Sequence, residues 1–328
     1  MGIKSLTKLI KNNTNNSIEN INLYQLSNKR VAIDASLFIY KSLIAINTKG
    51  SNNKNIGHII GIFNKTINYL SLNIIPIYIF DGKPPKLKQT ILNERKQKLN
   101  NNKILLHKST NIYDINKYEK RCVKMTKEHI DDIKQLLSLL GVSYIHCDGE
   151  AEGIASELCR INYVDYVISE DMDSLPFGSS KLVRSCVDKS IKRKDILSVF
   201  NLESILNELK LTHDQFIELC VLCGCDYCSN ISKVGPIKSL QIINKYKSIN
   251  NYIEQTKPIL PNNYINNYKE SIKIFNSYRG IFNNTDIPIN KSILNIPKLK
   301  EYLLSFNINE KSIDKSIQKI NRTNIKIS

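Results

Sequence analysis

The sequence lacks the features of a membrane-bound or secreted protein. No run of eighteen or more apolar residues occurs in its 328 residues, which argues against a membrane span. The N-terminal segment 1–13, MGIKSLTKLIKNN, contains neither an apolar core nor a small-residue cleavage site, so it does not match a secretory signal. Leu6 stands where a myristoylation signal has Ser or Thr. These absences predict a protein without membrane attachment.

Acidic residues are scarce relative to basic ones. The chain has 47 Lys and Arg against 30 Asp and Glu, a formal net charge of +17. A surplus of this size favours a polyanionic partner, and nucleic acid is the first candidate. A basic protein without such a partner is the alternative at this stage.

The positive charge is concentrated in residues 83–127, which contain thirteen Lys or Arg and three acids. A connection between two strands does not need to be so long or so basic. The segment therefore predicts an arm or cap that guides a phosphate backbone. A solvent-exposed pair of helices without that role is the alternative.

Short β-branched segments alternate with helical patterns along the chain. Four segments are predicted to be buried strands: 29–34, 74–81, 142–148 and 164–171. Residues 128–141 predict a helix that Gly141 stops, and 212–228 predict another helix before a turn at 229–240. This alternation predicts an α/β fold with a mostly parallel central sheet and helices on both faces.

Carboxylates follow each of the four predicted strands. They are Asp34, Asp81, the group Asp148, Glu150 and Glu152, and the pair Asp171 and Asp173. The carboxyl ends of parallel strands meet at one edge of a sheet, where so many like charges cannot all stay ionised without cations. Carboxylate oxygens suit Mg²⁺ or Mn²⁺. One aspartate after a strand is commonly a turn or helix cap, but four in succession favour metal-assisted chemistry on a phosphodiester.

Four of the eight cysteines lie in the segment 219–228, LCVLCGCDYC. Zinc sites usually separate two cysteine pairs by a dozen or more residues, and residues 219–224 are predicted to be helical. Buried thiols are therefore favoured over a metal-thiolate cluster of Cys220, Cys223, Cys225 and Cys228. Without a secretion signal, we expect reduced thiols in an intracellular protein.

Seven motifs recur here in a known order: MGIKSLTKLI (1–10), VAIDASLFIY (31–40), FDGKPPKLK (80–88), GEAEG (149–153), SEDMDSL (169–175), GCDYC (224–228) and VGPIKS (234–239). Their order and spacing resemble those of eukaryotic-type flap endonucleases, which belong to the superfamily of structure-specific 5′ nucleases. The resemblance spans residues 1–320.

The resemblance implies two divalent metal ions per site, Mg²⁺ with Mn²⁺ as a substitute. Seven carboxylates at matching positions would hold them: Asp34, Asp81, Glu150, Glu152, Asp171, Asp173 and Asp226. Lys88 and Arg95 match basic residues that polarise the scissile phosphate, so they join Asp34, Asp81 and Asp171 as candidate catalytic residues.

The resemblance also implies a set of DNA contacts. Arg121 and Lys124 match arm residues near the 5′ strand, Tyr40 matches an aromatic side chain that stacks on a base, and Gly2 lies near the site. The VGPIKS turn, with Gly235 and Lys238, matches a helix-two-turn-helix element that grips the duplex through a monovalent cation, usually K⁺. The partner is then branched double-stranded DNA with a 5′ flap.

The motifs suggest an organisation within one compact nuclease domain. Its expected parts are an N-terminal nuclease region (1–105) with the arm or cap at 83–127, an internal nuclease region (128–220), a helix-two-turn-helix duplex-binding region (221–290) and a C-terminal helical segment (291–328).

The chain also departs from the family pattern. The loop 47–57 has no acid, which puts a strict preference for a one-nucleotide 3′ flap in doubt. Lys233 stands where a glycine is usual, and Ile237 stands where a lysine is usual. The usual clamp-binding motif is not found, so we do not expect sliding-clamp binding by that route.

The sequence therefore predicts a structure-specific 5′ flap endonuclease with 5′–3′ exonuclease activity, acting on branched DNA in replication and repair. A 5′–3′ exonuclease or junction-cutting relative of the same superfamily is the alternative, and a non-catalytic DNA-binding scaffold is a minor one. We expect a monomer in a reducing compartment, either the nucleus or a viral replication site.

Overall fold

The computed structural model describes residues 2–51, 53–282 and 286–321. The strands in these ranges are β1 Ile18–Asn22, β2 Arg30–Asp34, β3 Ile75–Phe80, β4 Tyr144–His146, β5 Tyr166–Ile168, β6 Lys181–Ser185 and β7 Ile196–Asn201. The α-helices are α1 Leu6–Asn13, α2 Ala35–Ala45, α3 Gly57–Ser71, α4 Gln89–Lys108, α5 Ile112–Cys122, α6 Lys127–Leu139, α7 Ala151–Arg160, α8 Leu202–Leu209, α9 His213–Cys223, α10 Pro236–Tyr246, α11 Ile249–Thr256, α12 Tyr264–Asn276, α13 Ile296–Ser305 and α14 Glu310–Asn321.

The chain divides into two compact units, each built from separate chain segments. Unit 1 comprises Met1–Gln25, Gly82–Ile91 and Asp148–Ile287. Unit 2 comprises Leu26–Asp81, Leu92–Cys147 and Pro288–Ser328.

Unit 2 contains three parallel strands in the order β2-β3-β4. Asp34, the last residue of β2, pairs with Ile79 of β3. Most residues of β2 and β3 are buried in succession, as expected for parallel strands covered on both faces. Helix α3 packs against α2, α6 and α14. The Tyr78 hydroxyl is satisfied in this interior by Thr66 Oγ1 at 2.8 Å.

Unit 1 contains four strands in the order β1-β7-β6-β5. Strand β5 is parallel to β6, whereas β7 is antiparallel to both β6 and β1. Helix α9 lies at the centre of its helical part and packs against α10 and α12. An aromatic cluster in this core joins Phe177, Tyr227, Phe275 and Tyr278, with ring centroids 4.9 to 5.4 Å apart in the contacting pairs.

The α/β fold predicted from the sequence is confirmed. The four predicted strands correspond to β2, β3, β4 and β5, although β4 is shorter than expected. The helix predicted at 128–141 is α6, which Thr126 caps, and Gly141 follows it with a φ of 70°.

The helix predicted over 212–228 was too long. Helix α9 ends at Cys223 because Gly224 adopts a φ of 91°, a left-handed conformation that glycine reaches at no steric cost. The segment 224–228 is therefore a turn, and Asp226 lies in this turn and not in the helix.

The basic segment 83–127 forms α4 and α5, and among their described residues none is buried. Its role as an arm or cap over the active site stays a prediction, as does the division of the chain into four regions. The C-terminal segment contains α13 and α14, and residues 322–328 lie outside the described ranges. Within those ranges, no helix is long and apolar enough to cross a membrane.

Candidate metal centre and nucleic-acid interface

Glu150 and Glu152 lie at the N-terminus of α7. Glu150 is the N-cap residue and is buried, with 4% exposure, whereas Glu152 stands in the first helical turn. The helix dipole favours negative charge at this end. The Glu150 backbone N–H donates a hydrogen bond to the Tyr278 hydroxyl at 2.7 Å, which holds the main chain at this position.

Lys88 lies among the carboxylates of unit 1. Its ammonium group donates a hydrogen bond to Glu150 Oε2, and its Nζ lies 4.0 Å from Asp226 Oδ2. Burial alone would lower the pKa of Lys88, but the charges of Glu150, Glu152 and Asp226 outweigh it, so the pKa is raised above its ordinary value. Lys88 therefore stays a cation inside an anionic cluster.

Asp171 and Asp173 follow strand β5. The Asp171 carboxylate accepts the Asp173 backbone N–H at 3.1 Å, and Asp173 Oδ1 accepts the backbone N–H of Ile3 at 3.0 Å. Burial, followed by the charges of Asp171 and Asp226, raises the pKa of Asp173 well above its usual range. A bound divalent cation would reverse this effect and keep the carboxylates ionised.

Gly2 lies against the same pair of carboxylates. Its φ is 78°, and a Cβ built on it would overlap Asp171 Oδ1 and lie 2.5 Å from Asp173 Oδ1. The backbone before α1 therefore approaches the carboxylates more closely than a side chain allows.

Asp226 lies in the turn that follows α9. The Cys225 N–H donates to the Cys228 carbonyl at 3.0 Å, which closes this turn. Tyr227 is buried, and its ring centroid lies 5.4 Å from that of Phe275. Asp226, with 13% side-chain exposure, is thus fixed by buried neighbours on both sides.

The four cysteines around Asp226 are buried. Burial raises the pKa of Cys223 and of Cys228 to about 12, and it raises the pKa of Cys220 and of Cys225 as well. Among the described residues, no three of these cysteines bring their sulfur atoms within 4.8 Å of one another. The structure therefore supports the interpretation of these residues as apolar core thiols.

Two further candidate carboxylates stand at the ends of the neighbouring parallel strands β2 and β3 of unit 2. Asp34 ends β2, is 4% exposed and accepts the Leu37 N–H at 3.1 Å as the N-cap of α2. Asp81 follows β3 directly. The next residue, Gly82, donates its N–H to the Gly149 carbonyl at 2.8 Å, one position before Glu150.

The donor chemistry fits hard divalent cations. All seven candidate ligands offer carboxylate oxygens, which Mg²⁺ and Mn²⁺ prefer. Three of the seven side chains are almost completely buried: Asp34, Glu150 and Asp173. Buried carboxylates require cations or hydrogen-bond donors as partners.

The candidate DNA contacts lie on more exposed surfaces. Arg95 is exposed on α4, Arg121 is exposed in the last turn of α5, and Lys124 is exposed after that helix. Tyr40 is half-buried on α2. Their proposed contacts with DNA stay predictions.

The turn before α10 presents a helix N-terminus. Gly235 is the N-cap, Pro236 is the first helical residue, and Lys238 is exposed in the first turn. A Cβ on Gly235 would find no atom within 4 Å, so this backbone is open to an approaching ligand. Backbone N–H groups at such a terminus suit a phosphate.

Sequence reasoning missed several residues that shape the site. The Ile3 backbone N–H and the Tyr278 hydroxyl contact residues 170 and 128 positions away in the chain. No local sequence pattern predicts contacts between residues so far apart in the chain. The glycines of GEAEG are the one available signal, since they indicate a close neighbour without naming it.

Comparisons with known proteins identify the family to which the chain belongs. The XPG N-terminal domain model matches residues 1–102, and the XPG I-region model matches residues 141–226. Flap endonuclease 1 of Glycine max is 37% identical and covers 98% of this chain and 86% of its own length. Flap endonuclease 1 of Encephalitozoon cuniculi is 35% identical, and the match covers 98% of this chain and 93% of the relative.

Solved structures share the fold. The catalytic core of Rad2 in complex with DNA substrate has a TM-score of 0.73 at 22% identity and covers 97% of this chain and all (100%) of its own. Flap endonuclease-1 from Methanococcus jannaschii has a TM-score of 0.70 at 23% identity, covering 93% and 97%. The Holliday junction-resolving enzyme GEN1, in complex with product DNA, Mg²⁺ and Mn²⁺ ions, has a TM-score of 0.63 at 20% identity, covering 97% and 76%. With relatives above 30% identity along nearly its whole length, the chain belongs to the flap endonuclease family.

Proposed function

We propose that this chain is a structure-specific 5′ flap endonuclease with 5′–3′ exonuclease activity, a hydrolase that cuts branched DNA in replication and repair. The observation that carries this proposal is the position of Lys88. A charged ammonium group lies among carboxylates that suit divalent metals, bonded to Glu150 and 4.0 Å from Asp226. Such a group is placed to meet the negative phosphate that the metals attract.

The metal site would use all seven carboxylates. Asp34 is the last residue of β2, and Asp81 directly follows β3. When bound, two divalent ions supply an activated water and stabilise the leaving oxygen of an in-line displacement. We propose Mg²⁺ for this role, with Mn²⁺ as its substitute.

The residues of the chain act on the phosphate and the nucleobase. Lys88 and Arg95 would neutralise the charge that develops on the scissile phosphate. The Ile3 N–H holds Asp173, and Gly2 leaves room for both carboxylates of the Asp171–Asp173 pair. Tyr40 would offset the stacking lost when a nucleotide leaves the duplex.

The remaining basic residues would bind the DNA backbone. Arg121 and Lys124 are proposed to contact the 5′ strand, and Gly235 and Lys238 the downstream duplex. The loop 47–57 carries Lys54, which forms an ion pair with Glu128 of α6 at 2.7 Å. Because this loop has no acid of its own, we propose that a strict one-nucleotide 3′ flap is not required.

At the turn where the resemblance implies a monovalent cation, two carbonyl oxygens already accept hydrogen bonds from one side-chain amide. K⁺ is bound in proteins by rings of carbonyl oxygens. Here the side-chain amide of Asn230 donates to the carbonyl oxygens of Ile231 at 3.3 Å and Val234 at 3.2 Å, while its own oxygen accepts from Lys4 Nζ at 3.2 Å. We therefore propose that the Asn230 amide closes this turn without K⁺.

Cleavage of an end-labelled double-flap DNA with Mg²⁺ tests the function. Nicked, single-stranded and blunt duplex DNA serve as comparison substrates. We expect a cut about one nucleotide inside the duplex, selective for the 5′ flap. Progressive release of mononucleotides with flaps ignored would favour the exonuclease alternative, and cutting of four-way junctions would favour the junction-cutting relative. Binding without cutting in any divalent ion would favour the scaffold.

A matched pair of variants links the cut to the carboxylates. Asp171→Ala is expected to abolish cleavage while flap binding in EDTA is retained. Asp131→Ala, which removes an exposed acid on α6, should cleave like the wild type. Loss of DNA binding together with cleavage in Asp171→Ala would contradict a metal role.

The other partner assignments remain proposals. We propose a monomer that acts where DNA is replicated, in a nucleus or at a viral replication site.

A further inference from the structure

The N-terminus of α7 is held from outside the helix by one side chain. The first N–H groups of a helix have no partner within it. Here the N–H of the N-cap residue Glu150 donates to the Tyr278 hydroxyl at 2.7 Å. The tyrosine comes from the segment after α12, 128 residues further along the chain.

Two glycines make room for this tyrosine. A Cβ on Gly153 would lie 2.5 to 2.7 Å from three carbons of the Tyr278 ring, and a Cβ on Gly149 would overlap its hydroxyl oxygen. These glycines flank Glu150 and Glu152 in the GEAEG motif. The ring also meets Phe177 edge-on, with centroids 5.4 Å apart.

The same chain segment fixes the other end of the helix. The Gly280 N–H donates to Glu157 Oε1 at 2.7 Å. Glu157 is 1% exposed and forms an ion pair with Arg160 in the last turn of α7. Residues 278–280 therefore hold α7 near both ends, and a shift of this segment would move the helix that carries Glu150 and Glu152.

We propose that Tyr278 is a positioning residue for metal binding, an inference that rests on the proposed two-metal nuclease function. Its hydroxyl fixes the main chain of Glu150, and thereby the direction in which the Glu150 and Glu152 carboxylates point. Lys88 depends on the same placement because it is bonded to Glu150. Groups that orient metal ligands without touching the metal commonly affect metal affinity strongly.

The ring and the hydroxyl have separable roles. Tyr278→Phe retains the ring that fills the space beside Gly149 and Gly153, and it removes the hydroxyl that accepts the Glu150 N–H. Tyr264→Phe is a matched control on α12, because it removes a buried hydroxyl for which the described residues offer no partner. Both variants are made in the full chain.

The test measures Mn²⁺ binding without DNA, by the electron paramagnetic resonance signal of the free ion. We expect Tyr278→Phe to bind Mn²⁺ about tenfold more weakly than the wild type. The Mg²⁺ concentration for half-maximal flap cleavage should rise in parallel, while flap binding in EDTA stays unchanged. Tyr264→Phe should match the wild type in all three measurements.

Three results would overturn the proposal. Unchanged Mn²⁺ affinity in Tyr278→Phe, with or without a lower melting temperature, would leave the tyrosine a packing role only. An equal loss of affinity in Tyr264→Phe would show a general effect of the α12 region. If the wild type itself bound no Mn²⁺ and cut no flap, the proposed function would fail and the metal role of Tyr278 with it.

Discussion

The ammonium group of Lys88 is hydrogen-bonded to the carboxylate of Glu150, whose own backbone is fixed at the start of α7. A lysine in this position neutralises part of the ligand charge before substrate arrives. It is also placed to exchange a carboxylate partner for a phosphate oxygen. We propose that the pair links metal binding to substrate binding through the Lys88 side chain.

Removal of the Lys88 charge should slow the chemical step far more than it weakens binding. We expect Lys88→Ala to lower the single-turnover cleavage rate by about 100-fold or more, since one fewer cation meets the charge developing on the phosphate. Flap binding in EDTA should change by less than about threefold, because without metal the Lys88 ammonium group stays bonded to Glu150. Arg95→Ala is expected to act in the same direction.

Lys238→Ala is the matched control for a backbone contact, because Lys238 is exposed at the start of α10. Loss of the Lys238 charge should weaken DNA binding and reduce the salt dependence of binding. The rate at which bound substrate is cleaved should not change. If Lys88→Ala lost rate and affinity equally, Lys88 would be a simple phosphate contact.

A side chain at position 2 should displace the carboxylates of Asp171 and Asp173. The Cβ of Gly2→Ala would overlap Asp171 Oδ1, and a φ of 78° strains any residue other than glycine. We expect cleavage to fall by about 100-fold through displaced carboxylates. The Mg²⁺ titration of the variant should shift to higher concentration. A variant with normal rate and normal Mg²⁺ dependence would show that the backbone before α1 moves freely away from Asp171.

The cysteines around Asp226 should be dispensable for chemistry. Cys223 and Cys225 are buried, and burial disfavours their thiolates, with the pKa of Cys223 raised to about 12. Thiol alkylation at pH 8, followed by mass spectrometry, should therefore label Cys122 and Cys186, which are half-buried, before these two.

The double variant Cys223→Ala with Cys225→Ser should retain activity within about threefold. An inactive protein depleted of metal would revive the metal-thiolate interpretation.

The sequence predicts those parts of the site that follow from local pattern. Asp34 and Asp81 each end an apolar β-branched segment, so the strand and its terminal acid appear together. Asp171 and Asp173 follow the same rule after β5. One physical argument finds all four residues, because ligands commonly bind beyond the carboxyl ends of parallel strands.

Local pattern fails where distant segments meet or where one residue breaks a pattern. Strand β1 alternates poorly, since two of its five residues are exposed and one is fully buried, so no strand was predicted there. Gly224 interrupts an apolar run that predicts helix up to residue 228. Tyr278 and Ile3 act on residues far away in the chain, and only a three-dimensional structure reveals such partners.

The turn before α10 gives the last prediction, that duplex binding does not depend on K⁺. Because the Asn230 amide already satisfies the carbonyl oxygens of Ile231 and Val234, the wild type should bind a nicked duplex equally in KCl and in NaCl at one ionic strength. Asn230→Ala leaves both oxygens without this donor, which destabilises the turn by about 1 kcal/mol, so we expect the variant to bind the duplex more weakly. Potassium, which takes carbonyl ligands, should restore part of this loss where sodium does not. Lys4→Ala, which removes only the outer partner of Asn230, should show a smaller effect and no preference for K⁺. Wild-type binding that strengthens in KCl over NaCl would contradict the assignment, because the carbonyl oxygens would then be ligands of the cation.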